Sequence, residues 1–139
     1  MKVLVDTPVW SLALRRKVRS ENASTRELAS LIEDGRVAMI GPVRQEVLSG
    51  IKEQSQLERL REHLRSFSDV LITSEDHEEA ASFYDRCRGK GIQGSNTDFL
   101  ICAIAARLEY PVFTTDKDFA HFAKVLPIAL HDANGKRVP

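Results

Sequence analysis

The chain has 139 residues, 42% of them hydrophobic and 29% charged, and its twenty basic residues are matched by twenty acidic ones. That length suits one domain with a sizeable core, and the composition excludes a disordered chain. Zero net charge excludes a dedicated nucleic-acid coat, so any contact with nucleic acid must be local.

The N-terminus does not read as a signal peptide, and no window approaches the ~20 apolar residues of a membrane span. Cys87 and Cys102 stand in no CxxC or ligand-like spacing. The expectation is a cytoplasmic protein with two reduced core thiols and no membrane attachment.

In chain order, Val3, Leu4 and Val5 form a short apolar run cut off by Asp6, Thr7 and Pro8. This reads as a buried central strand of a parallel α/β sheet. Such sheets bind ligands in the crevice beyond the carboxyl ends of their strands, where Asp6 falls. Pro8 can open a helix to Leu14. Asn22 or Ser24 can cap the next, in which Leu28, Leu31 and Ile32 recur until Gly35.

Val37 to Ile40 predicts a second strand, and Gly41 and Pro42 open a helix striped by Val43, Val47, Leu48 and Ile51. Glu46 falls on the edge of that stripe, an odd place for a carboxylate. Leu57, Leu60, Leu64 and Phe67 mark another amphipathic helix, and Val70 to Ile72 a third strand. Thr73 and Ser74 cap a helix carrying Ala80, Ala81, Phe83, Tyr84 and Cys87.

Every residue from Phe99 to Ala106 is apolar, which predicts a helix buried nearly all round with Asp98 at its N-terminal edge. Val112 to Thr115 predicts a fourth strand ended by Asp116, Lys117 and Asp118. Val125 to Leu130, interrupted by Pro127, suits a last edge strand. From about residue 131 the chain reads as a polar, mobile tail with an Asn134-Gly135 turn. No repeat or linker divides the chain, so residues 1–139 are taken as a single domain.

Asp6 and Asp116 both follow strands, and parallel strands end on one side of a sheet. Glu46 starts from the same edge, whereas Asp98 reaches it only with tertiary help. Each acid has a bland reading: a turn residue at Asp6, an exposed helix face at Glu46, a capping box with Ser95 at Asp98, an N-cap at Asp116. Together on one edge they point to a divalent-metal site, because clustered carboxylates repel unless a cation neutralises them. Mg²⁺ and Mn²⁺ take such oxygen ligands and promote phosphodiester hydrolysis. The four histidines are scattered, and no histidine or cysteine cluster suggests zinc.

The segments VDTPVW, PVRQEVLSG, SNTDFLICAIAARL and VFTTDKDF resemble, in order and position, those of PIN domain ribonucleases, particularly VapC-like toxins of toxin–antitoxin pairs. The resemblance covers essentially the whole chain. It implies a three-layer α/β/α sandwich with a mainly parallel sheet of about five strands, and a Mg²⁺- or Mn²⁺-dependent endoribonuclease. It also implies a homodimer and a cognate antitoxin that blocks the site.

By the same resemblance Asp6, Glu46, Asp98 and Asp116 are catalytic, with Asp6, Asp98 and Asp116 holding the principal metal directly or through water and Glu46 orienting a metal-bound water or helping a second ion. Thr7 and Thr114 match supporting hydroxyl positions, and Asp118 an acid found in only some members. Basic clusters, of which Arg15, Arg16, Lys17 and Arg19 form the first, are candidates for flanking phosphates.

Three enzyme or signalling alternatives are weaker. A haloacid-dehalogenase-type phosphatase needs a second acid where Pro8 stands, and a response-regulator receiver needs an acidic pair where Val5 precedes Asp6. A DNA-directed nuclease would be expected to carry an extra arch or insertion. A catalytically silent PIN-like interaction module is the remaining alternative, and the presence of all four acids argues against it.

Overall fold

The computed structural model describes residues 1–14 and 22–138. The first basic cluster, Arg15 to Arg19, lies outside the described residues.

Five short strands form one sheet in the order β2-β1-β3-β4-β5. β1 (Val3–Val5) is central and fully buried, as its unbroken apolar run requires. It pairs in parallel with β2 (Val37–Ala38) on one side and β3 (Val112–Phe113) on the other. Register places Val5 opposite Phe113, and the Asp6 amide continues the ladder by donating to the Phe113 carbonyl at 2.9 Å. β4 (Leu130–His131) extends the sheet in parallel beyond β3, and β5 (Arg137–Val138) closes it antiparallel.

Around the sheet lie α1 (Thr7–Leu14), α2 (Ala23–Glu33), α3 (Gly41–Leu48), α4 (Gln54–Leu64), α5 (Ser74–Arg88), α6 (Asn96–Leu108) and α7 (Asp118–Val125). One core joins the strands to Trp10, Leu28, Val43, Phe83 and the aromatic group Phe99, Phe119 and Phe122. Among the described residues no helix is long and apolar enough to cross a membrane.

The helix starts follow their capping chemistry. Asn22 accepts the Thr25 amide at 2.8 Å, and Thr73 and Ser95 each close a capping box, with Asp76 and Asp98. α6 is the pivotal element. Phe99 through Ala105 are all buried, as their uninterrupted apolarity demands. Because α6 leads into parallel strand β3, it runs back across the sheet, and 13 residues span about 20 Å. Its start therefore lies at the edge where β3 ends.

Two ties hold α6 in place. Arg107 in its last turn grips buried Asp76 through two N–H groups at 2.7 and 2.8 Å, and also donates to the Leu71 carbonyl at 3.0 Å. At the other end, Gly94 lies against the rings of Phe99 and Phe122.

Two expectations are corrected. The third strand, Val70 to Ile72, shrinks to a single bridge between Met39 and Asp69, with the Val70 amide on the Met39 carbonyl at 2.8 Å. Side chains tie this segment where a ladder would: Arg44 takes Asp69 and the Leu64 and Phe67 carbonyls, and Arg107 takes that of Leu71. Leu71 is 79% exposed.

The edge strand expected over Val125 to Leu130 is displaced, because α7 runs to Val125 and Pro127 withholds an amide. Pairing starts only past the proline, and β4 lies inside the sheet. Beyond it, the polar segment turns at Asn134 and Gly135, as expected, with Gly135 at φ 81° and Asp132 accepting the Asn134 and Lys136 amides, and pairs back as β5.

A Cβ on Gly94 would meet Phe122 at 2.6 Å and Phe99 at 3.0 Å, both rings wedged in the core. Gly94→Ala should cost about 1–3 kcal/mol in urea unfolding. At Gly89 an added Cβ finds nothing closer than 3.5 Å, so Gly89→Ala should be near neutral.

Candidate functional site

Parallel strands deliver Asp6 beyond β1, α3 beyond β2, and Thr114 to Asp116 beyond β3 to one edge of the sheet, and the reversed run of α6 brings Asp98 to it. Asp6 is only 4% exposed. Its Oδ1 accepts the Thr7 amide and its Oδ2 the Thr114 hydroxyl, both at 2.8 Å.

These hydroxyls extend the contact in both directions. Thr7 Oγ1 donates to Glu46 Oε1 at 2.9 Å. Thr114 Oγ1 accepts the Asp116 amide at 3.0 Å, and Asp116 Oδ1 accepts the Asp118 amide at 2.9 Å. A continuous chain of hydrogen bonds therefore runs Glu46, Thr7, Asp6, Thr114, Asp116, Asp118.

Asp98 stands outside that chain, half-buried, with Oδ2 on the Ser95 amide at 3.0 Å. The capping-box reading of Asp98 is therefore correct as structure. One carboxylate oxygen, Oδ1, is not used by the cap, so capping and a functional role are compatible. Glu46 is exposed, and the Thr7 hydroxyl orients it.

Electrostatics link the acids. Burial raises the Asp6 carboxyl to about 6, against the opposing pull of its Thr114 and Thr7 hydrogen bonds, and the nearby charges of Asp98 and Glu46 push in the same direction as burial. Asp98 is also raised, first by burial and further by Asp116 and Glu46. Burial drives the Cys102 thiol well up, with Asp98, Cys87 and Asp6 adding to it. Both cysteines are free and buried, so neither is a reactive thiolate.

The four donors are all carboxylate oxygens, the set a hard divalent cation takes, and their mutual repulsion is what a cation relieves. They share an edge without yet forming one coordination sphere. Among the described residues no three histidine, cysteine, aspartate or glutamate side chains are grouped closely enough to hold a metal ion.

A cleft of about 480 Å³ opens beside Glu46, lined by Thr7, Pro42, Gln45, Ser49 and Thr97. Sequence reading missed Gln45, Ser49 and Thr97. Two are direct chain neighbours of Glu46 and Asp98, and Ser49 follows Glu46 by three residues, a spacing that shares a helix face.

Comparison with known proteins bears on the family and the fold. A family model described as PIN domain matches residues 3–125. No curated protein matches the sequence. Among solved structures, the fold is similar to FitAcB from Neisseria gonorrhoeae, at 21% identity and TM-score 0.72, over 89% of this chain and 94% of that one. It is also similar to VapBC2 from Rickettsia felis bound to a DNA fragment from their promoter, at 15% identity and TM-score 0.72, over 95% and 98%. A third is VapBC-5 from Mycobacterium tuberculosis, a member of the VapBC family of toxin–antitoxin systems, at 19% identity and TM-score 0.68, over 93% and 96%.

The raised Asp6 carboxyl sets a pH dependence. Its ordinary value when unfolded is 3.8 and its folded value about 6, so the folded protein holds the proton more tightly. That contribution to stability is fully present below pH 4 and is lost as pH rises through 6. Asp6→Asn should therefore be more stable than the wild type above pH 6, by up to about 3 kcal/mol in chelator, with the gain gone near pH 4. Urea unfolding of both proteins between pH 4 and 8 measures it.

Proposed function

The chain belongs to the PIN domain family, and from that membership we propose that it is a metal-dependent endoribonuclease, the toxin of a toxin–antitoxin pair. The observation that carries this reading is the buried Asp6 carboxylate at the carboxyl end of the central strand, pushed up in pKa by burial and by Asp98 and Glu46. A buried charge in that position is costly to folding and has value only if something cationic uses it.

In this reading Asp6, Asp98 and Asp116 would hold Mg²⁺ or Mn²⁺. When bound, the ion neutralises the acids and the substrate phosphate and makes water a better nucleophile near neutral pH. Thr114 fixes Asp6 and the Asp116 backbone together, setting two of the three acids in register. Thr7 holds one oxygen of Glu46 at the mouth of the cleft, where the carboxylate orients the attacking water and receives its proton. Water adds at phosphorus as one P–O bond of the RNA backbone breaks, and the departing oxygen takes a proton from solvent.

A cognate antitoxin and a homodimer complete the proposal. The antitoxin is supported by the similarity in fold to a member of a toxin–antitoxin family.

The test is incubation of the purified protein, free of bound partner, with total cellular RNA in Mg²⁺, in Mn²⁺ and in chelator, beside Asp98→Asn. An asparagine can still accept the Ser95 amide, so this change removes charge while keeping the cap. Discrete fragments that need metal and fall at least 100-fold in the variant are expected. A folded wild-type protein that cuts nothing in either metal would assign the fold to a silent interaction module.

A further inference from the structure

A second cleft, of about 420 Å³, lies between α5 and the start of α6. It shares Thr97 with the cleft beside Glu46, so the two meet one residue before Asp98. Ala80 and Leu100, both buried, give it an apolar floor. Tyr84 lines it as an aromatic wall, with its ring set edge-on to Phe99 at 5.6 Å.

His77, Asp85 and Asn96 line the same cleft. Among the described residues the side chains of these three make no hydrogen bond or ion pair. An apolar slot of this size, with one aromatic side and free donors and acceptors, suits a flat ring with a hydrogen-bonding edge.

The charges distinguish a base from a phosphate. Asp85 repels a phosphate within the cleft and accepts a hydrogen bond from the amino or imino edge of a base. Arg88, which donates to the Tyr84 hydroxyl at 2.9 Å, sets a cation beside the ring.

We propose that this cleft is a base-binding pocket for a nucleotide flanking the scissile phosphate, in single-stranded RNA that crosses the acidic edge past Thr97. Tyr84 stacks the base, Asp85 and Asn96 read its edge, and Arg88 meets the neighbouring phosphate. The proposal rests on the nuclease reading above and adds the source of sequence preference.

The experiment maps fragment ends of total RNA, and the rate on one short single-stranded RNA carrying a mapped site, for the wild type, Tyr84→Leu, Tyr84→Phe and Asp85→Asn. Loss of a stacking base should lower kcat/KM of Tyr84→Leu roughly 5- to 100-fold, while Tyr84→Phe, which keeps the ring and loses only the hydroxyl that holds Arg88, should fall less than Tyr84→Leu. Asp85→Asn should change the preferred base at one position beside the cut and leave the other positions alone.

Wild-type cleavage with unchanged rates and base preference in every variant would overturn the pocket and leave the nuclease reading intact. A wild-type protein that cuts no RNA would overturn both, and it is recognised before any variant is compared. Variants that alter sedimentation behaviour in place of base preference would give this face to a second copy of the chain and also overturn the pocket.

Discussion

The burial of a carboxylate at the end of the central strand is the constraint on which the rest of the molecule depends. Asp6 is fixed by the ladder itself, since its amide pairs with Phe113 and its neighbours Val5 and Phe113 are in register. It cannot move toward water without breaking β1 from β3. The Thr114 hydroxyl and the Thr7 backbone amide replace part of its lost hydration, yet burial still dominates its ionisation. Neighbouring acids add to that cost. Such an arrangement costs the fold stability, and in the proposed reading a bound cation would offset that cost, the usual trade between folding and function at a site.

The surrounding structure is built to hold the acids at that edge in spite of their repulsion. α6 is anchored deep in the core by seven consecutive buried residues, and its far end is bolted through Arg107 to Asp76. Asp76 sits low in pKa, chiefly through its hydrogen bonds with Arg107, so this pair is charged at neutral pH. Asp98 meanwhile caps the helix it begins, which ties its orientation to helix formation. The same residue thus serves the fold with one oxygen and has the other available to the site.

Much of this arrangement could be read from residue order. Asp6 and Asp116 each end an apolar run, and parallel strands finish on one side, so their convergence needed only the topology. Ser95 with Asp98 carried a legible capping signal. The approach of Asp98 to the edge was not legible locally, because it depends on α6 running back across the sheet and on packing against α5. The exposure of Glu46 was also hidden, since a stripe edge can face either way, and what orients it is a threonine 39 residues earlier. At the strand expected from Val70, the Leu71 carbonyl goes to Arg107 and not to a ladder, and pairing stops at the Met39 and Asp69 bridge. After Leu130 the Asn134-Gly135 turn was legible, but the strand pairing it closes was not, because its polar residues bond to backbone and bury little.

The most direct test of the central claim is the ionisation of Asp6 itself, followed by carboxyl carbon chemical shift across pH 3 to 8 with and without saturating Mg²⁺, with Asp6→Asn assigning the resonance. The account predicts a midpoint near 6 in chelator that falls well below the ordinary carboxylate range when the ion is present. A midpoint near 6 that Mg²⁺ does not move would contradict the account, because the buried charge at the heart of the fold would then have no cation to serve.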